Sequence, residues 1–154
     1  MVKSKSSQVA IDPTPGPLFS PRFLVALVLI VGGIAWIIYY YTGVRVDPTK
    51  VPAPQSSGPA TIAKWQNWNY LIGFGALFVG LTLAAHPSTP LGRGRAVPAA
   101  MVACFLIGLL WICTFYVFSL DPSKIPVFND LGQKNLFVGI GFFAVGFAYA
   151  TRWE

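Results

Sequence analysis

The 154-residue chain has little charge: Asp, Glu, Lys and Arg together make up 10%, against hydrophobic residues at 55%. Mean hydropathy is +0.61. A soluble domain carries roughly a quarter charged residues, so the charge present cannot coat a globule. That excludes a soluble enzyme, a nucleic-acid-binding domain and a disordered chain. Histidine occurs once, at His86, and cysteine twice. One imidazole and two thiols cannot assemble a tetrahedral metal site, and His86 has no evident carboxylate to complete a nucleophile–base–orienter set. Cys104 and Cys113 are nine residues apart in one apolar stretch. They therefore point to opposite helix faces about 13 Å apart along the axis and cannot bond to each other. No Asp, Glu, Lys, Arg or His falls inside the apolar stretches, which removes the embedded carboxylate that a multidrug antiporter needs. The residues thus predict neither catalytic groups nor a metal or other cofactor.

What is present is four long uncharged apolar stretches, the signature of an integral membrane protein. The expected fold is all-α, with four transmembrane helices at about 23–41, 68–85, 97–120 and 135–151. The last is short, about 25 Å for its 17 residues, and Lys134 and Arg152 can snorkel from its ends. Residues 1–22 read as a disordered tail without a cleavable signal peptide, ending at Ser20-Pro21, where a helix start is expected. Tyr39, Tyr40 and Tyr41 close the first span, and Trp65, Trp68 and Tyr70 mark the start of the second; all suit the headgroup boundary. The connections at 42–66 and 121–134 read as loops, and 87–96 as a short basic loop carrying Arg93 and Arg95.

The halves repeat. Asp47-Pro48-Thr49-Lys50-Val51-Pro52 returns as Asp121-Pro122-Ser123-Lys124-Ile125-Pro126. Gly33-x-x-Trp36-Ile37 with Tyr41 returns as Gly108-x-x-Trp111-Ile112 with Tyr116. At an offset of 66, Asn69, Gly73, Gly75, Gly80 and Ala84 match Asn135, Gly139, Gly141, Gly146 and Ala150. Three such matches in one order are a duplication. The unit is a two-helix hairpin, residues 23–86 and 97–154, and because each unit crosses twice the repeats are parallel. With the N-terminus inside, the inner segments hold Lys3, Lys5, Arg22, Arg93, Arg95 and Arg152, and the outer loops hold Arg45, Lys50, Lys64, Lys124 and Lys134. The denser inner loop favours both termini in the cytoplasm.

Candidate sites are packing surfaces. Ala76, Gly80 and Ala84 line one face of the second span, and Ala100, Cys104 and Gly108 one face of the third; small residues at this spacing let helices approach closely in lipid. Either the protein's own bundle or a partner could use them. Trp36 and Trp111 lie deeper than belt aromatics and read as packing anchors against Gly33 and Gly108, with a ligand contact as the alternative. The Asp47–Lys50 and Asp121–Lys124 motifs end helices or bind a partner. Lys3 and Lys5 suit contact with anionic lipid.

Together these residues resemble the CrgA family of small actinobacterial cell-division membrane proteins, whose members are a single hairpin with a short tail. The resemblance lies in Met1-Val2-Lys3-Ser4-Lys5, in Phe105 to Ile112 running on to Phe115-Tyr116-Val117, in Asn135 through Gly139-Ile140-Gly141-Phe142 to Gly146, and in Arg152-Trp153. The first half adds Trp68-Asn69-Tyr70 and Gly73-Phe74-Gly75. Departures are the doubling itself, Ala84-Ala85-His86-Pro87 in place of the terminal Arg-Trp pair, and Lys134 in place of a Trp before Asn135. The resemblance implies cytoplasmic termini and a non-enzymatic role at the septum: recruiting or stabilising septal peptidoglycan synthesis proteins and modulating the FtsZ ring, with FtsZ, FtsQ and the transpeptidase FtsI as partners. A fused pair standing in for a homodimer follows as a hypothesis, and further homo-oligomerisation stays open. An accessory subunit of a transporter or envelope lipid-handling complex is the alternative, because it needs the same uncharged spans.

Overall fold

The structure, a computed structural model, describes residues 20–46, 58–118 and 125–152. Within these residues it is all helix and turn: α1 (Pro21–Tyr39), α2 (Ala60–Lys64), α3 (Trp68–Ala84), α4 (Ala96–Val117), α5 (Phe128–Leu131) and α6 (Asn135–Ala150). Three stretches, Pro21–Val44, Ala96–Val117 and Phe128–Ala150, are long and apolar enough to cross a membrane. The fourth apolar helix, α3, has 17 residues, about 25 Å at the α-helical rise. It runs antiparallel along α1, with Gly80 beside Ala26 at one end and Tyr70 beside Tyr40 at the other, so it crosses wherever α1 crosses.

Helix is forced here by the solvent rather than by propensity. Val and Ile crowd α1, and β-branched residues are modest helix formers. In hydrocarbon, however, every backbone N–H and C=O must find an internal partner, which only a helix or a closed barrel provides. Ser20 caps α1 by accepting from the Phe23 N–H at 3.2 Å, with Pro21 at the first helical position. The helix therefore starts at Ser20-Pro21, where a start is expected, and Pro21 and Arg22 belong to it rather than to the tail, two residues ahead of the apolar span itself. At its other end α1 widens into a π-helical turn, Tyr40–Val44, closed by Arg45 N–H donating to Tyr40 O at 2.8 Å. That turn buries Tyr40 and Val44.

Each hairpin closes on the same geometry, α1 on α3 and α4 on α6. The two meet mainly along α3 and α6, where the Phe78 ring stands edge-on to Phe142 at 5.1 Å. The segment between the hairpins is compact. Thr89 is fully buried, donates to His86 O at 2.8 Å and accepts from the Gly92 N–H at 3.2 Å. Nearby, the Arg22 guanidinium reaches the His86 ring at 3.1 Å, tying the start of α1 to the end of α3.

The connections at the other end are more ordered than loops. Residues 60–64 and 128–131 form the short helices α2 and α5, and 132–134 a 3-10 turn. Both short helices are below the length at which apolar periodicity shows in a sequence. Two expected belt aromatics are also placed differently. Tyr70 and Tyr40 are buried, whereas Trp65, Trp68 and Tyr39 are exposed as expected. The tail through residue 19, the two Asp-Pro motifs with Asp47, Lys50, Asp121 and Lys124, and Trp153 lie outside the described residues.

Candidate helix-packing and interface site

The glycines define where helices cross. A Cβ on Gly33 would stand 2.5 Å from Gly73 O and 2.9 Å from Leu77 N, both backbone atoms of α3. In the second hairpin a Cβ on Gly108 would stand 2.8 Å from Gly139 O. The partner glycines repeat the pattern: Gly73 faces Ile37 Cγ1 and Gly139 faces Ile112 Cγ1, each at 2.4 Å from the Cβ position. About two turns further, Gly80 lies against Ile30 and Gly146 against Phe105. The Gly-x-x-Trp-Ile motif is thus a close-approach device whose Gly and Ile face the returning helix, allowing backbone contact of the kind that drives association in lipid.

The small-residue faces are occupied by the protein itself. Gly80 and Ala84 are buried, and Ala76 lies beside the Gly33 Cβ position, all on the α1 side of α3. Cys104 is buried with Val97, Val145, Tyr149 and Ala85, and Ala100 packs on that cluster. Cys113 is exposed and both thiols are free.

The two asparagines repeat the same pair of amide-to-backbone bonds. Asn69 and Asn135 are completely buried. Asn69 Nδ2 donates to Ile62 O at 2.9 Å and Gln66 O at 3.0 Å. Asn135 Nδ2 donates to Phe128 O at 3.0 Å and Gly132 O at 2.8 Å. Each amide therefore ties its long helix to the short helix before it. The acceptors Gln66 and Gly132 both take positive φ, 43° and 49°, so the backbone reverses the sign of φ at the same position in both copies, once without the residue type that adopts it at no steric cost. Of the five buried polar side-chain atoms left without a partner among the described residues, four also repeat, Asn69 Oδ1 with Asn135 Oδ1 and Trp36 Nε1 with Trp111 Nε1; the fifth, Asn129 Oδ1, has no counterpart.

The tryptophans differ in their surroundings. Trp111 stacks on Phe128 at 4.3 Å and meets Phe74 edge-on at 5.7 Å, joining α4, α5 and the other hairpin's α3. Trp36 has Tyr39 as its ring neighbour at 6.3 Å. In both cases the atoms nearest the preceding glycine come from the opposing helix, not from the indole.

One cluster has no counterpart in the repeat. Asp130, on α5, is ion-paired with Arg45 and accepts from Tyr70 Oη at 2.7 Å. Tyr70 stands edge-on to Tyr40 at 5.1 Å, and Arg45 lies over the Tyr41 ring at 4.9 Å. The carboxylate thus bridges both helix ends of the first hairpin to the second. At the offset of 66, Asp130 corresponds to Lys64 and Tyr70 to Leu136, so the arrangement exists in one direction only. Sequence reasoning placed Tyr70 at the membrane boundary and passed over Asp130; the usable signal was the reversal of charge between Lys64 and Asp130.

Of the remaining candidates, Trp68 and Arg152 are exposed, and Gly141 accommodates the Phe78 ring between the hairpins, 2.4 Å from a Cβ placed there. Among the described residues no three His, Cys, Asp or Glu side chains gather at a metal-binding distance.

These features define a class: a membrane protein of two fused helical hairpins whose buried polar groups serve packing and interhelix ties. The sequence profile of the family described as "Cell division protein CrgA" matches the chain twice, over residues 2–87 and 88–154. A curated relative, "Cell division protein CrgA" of Streptomyces avermitilis, is 44% identical over 62 residues, covering 40% of this chain and 68% of the relative. No solved structure matches. The chain belongs to the CrgA cell-division family, as a tandem duplication of its unit.

Proposed function

We propose that this protein is a non-enzymatic adaptor of the division site, one that recruits or stabilises septal peptidoglycan synthesis proteins and modulates assembly of the FtsZ ring. The observation that carries this reading is that both halves match one cell-division family while retaining one packing design. Duplicated hairpins with their small-residue faces already filled are a scaffold: chemistry is not built into them, and their outer surfaces are free to meet neighbours. Those surfaces are the apolar outer faces of α1 and α4, where Val28 and Leu110 are exposed; the Asp47–Lys50 and Asp121–Lys124 motifs and the N-terminal tail, outside the described residues, are the further candidates for partner contact by sequence. FtsQ and FtsI, as membrane proteins, suit the helix faces and outer loops, and FtsZ the cytoplasmic tail. This assignment places both termini and the 87–96 segment in the cytoplasm.

Time-lapse imaging of an N-terminal fluorescent fusion in a dividing actinobacterial host tests the reading. Enrichment at midcell before constriction is expected, followed by crosslinking of septal synthases to photoreactive residues at Val28 or Leu110. Uniform membrane signal through the cycle, with a transporter core co-purifying, would replace this role by the accessory-subunit one.

A further inference from the structure

Between α3 and α6 lies a groove of about 490 Å³ that the packing of the hairpins does not fill. The two helices touch where Phe78 lies over Gly141, and near the start of α3 the Tyr70–Asp130 bond ties it to α5, the short helix that precedes α6. Between these points the groove opens sideways past Leu71 and Phe137, which are 60% and 73% exposed on apolar membrane helices. It therefore faces hydrocarbon rather than water.

Three observations indicate what occupies it. The walls are apolar and are related by the repeat: Leu71 matches Phe137, and Gly75 matches Gly141, each pair 66 residues apart. Gly75 has nothing within 4 Å of its Cβ position, so no contact inside the protein accounts for a residue that weakens a helix; its missing side chain instead deepens the groove. At the mouth, where repetition would place a second tryptophan opposite Trp68, the chain carries Lys134. This lysine is exposed and makes no ion pair among the described residues. Trp68 and Lys134 each stand at the start of a span, the level at which aromatic rings and ammonium groups meet lipid headgroups.

We propose that the groove is a phospholipid site, taking one acyl chain along Phe74, Gly75 and Gly141 with the lipid phosphate paired to Lys134 at the mouth. The volume lies within the range of about 300–1,000 Å³ over which proteins hold small molecules. The cationic mouth selects an anionic headgroup. The inference does not depend on the division-site role, because its readout is lipid retained by the purified chain.

The experiment is native mass spectrometry of the full chain after reconstitution in vesicles of equal phosphatidylglycerol and phosphatidylcholine, followed by release from detergent. One retained phospholipid per chain is expected, with phosphatidylglycerol enriched about fivefold over its share of the bilayer, the effect of one basic residue on an anionic lipid. Gly75→Phe fills the groove and should abolish retention, while Val102→Phe, exposed on α4 and away from the groove, should leave it unchanged. Lys134→Gln should keep one bound lipid and lose the headgroup preference. If Gly75→Phe does not fold, Leu71→Trp at the rim makes the same test. Retention of no lipid, retention in the bilayer ratio, or undiminished retention in the filled variant would each overturn the proposal. So would a dimer that the filled variant dissolves, which would make a second copy of the chain the occupant.

Discussion

Replacing Gly33 by alanine adds one methyl group where the backbone of another helix already lies. The new carbon would stand 2.5 Å from Gly73 O, and ordinary contact begins near 3.4 Å, so α1 and α3 must part by about 0.9 Å at this level. The obstacle is a carbonyl oxygen and an amide nitrogen, so no rotamer change relieves it. Overpacking of this kind costs about 1–3 kcal/mol. The adjacent Gly32 supplies the control, because nothing lies within 4 Å of its Cβ position. Gly32→Ala keeps only the gain in helix propensity, up to about 1 kcal/mol. The two substitutions, identical in chemistry and one residue apart, should therefore differ by about 2–4 kcal/mol in opposite directions from wild type. Unfolding of the full chain in mild-detergent micelles, titrated with sodium dodecyl sulfate and followed by circular dichroism, reads the difference. If the two variants fall within about 0.5 kcal/mol of each other, well below that overpacking range, the reading of Gly33–Gly73 as a close backbone crossing is wrong.

Asn69→Ala removes the amide that holds Ile62 O and Gln66 O. A loss of about 1–3 kcal/mol is expected, and hydrogen exchange should quicken at 60–67 while α3 keeps its protection. Asn135→Ala should do the same at 128–134. Asp130→Ala leaves Arg45 and the Tyr70 hydroxyl without their shared acceptor at a site where the ion-paired side chains are only 11% and 15% exposed. It should cost about 2–4 kcal/mol, slightly below the range for breaking a fully buried pair, and Asp130→Asn should cost less because it still accepts from Tyr70; thermal denaturation in detergent ranks the two. Ser20→Ala should cost about 1 kcal/mol and fray only the first turn of α1, which exchange at residues 22–24 reports.

Much of the fold was legible because the bilayer simplifies the problem. Uninterrupted apolar stretches, the matched glycines and the doubled Asn-x-x-x-Gly spacing were enough to give hairpins, their number and their equivalence. Legibility failed at the connector end. The burial of Tyr70 depends on Asp130, sixty residues away, and no local pattern announces such a pair. The helices α2 and α5 are too short for periodicity, and they are held by an amide seven residues downstream. The tryptophan motif was legible as packing but not in its direction: glycine and isoleucine turn to the opposing helix, while only one of the two indoles reaches across to the other hairpin.

The Arg45–Asp130–Tyr70 bridge makes order along the chain matter. Two hairpins related by a perfect rotation can exchange places without any neighbour noticing. Here the acid sits on one copy and its cation and hydroxyl donor on the other, so the first hairpin cannot stand in for the second. A protein docking on the flank of the pair meets a left side unlike the right, and one docked copy does not imply a second by symmetry. Duplication in this molecule converts a surface that would be offered twice into two addresses, each free to drift towards its own neighbour.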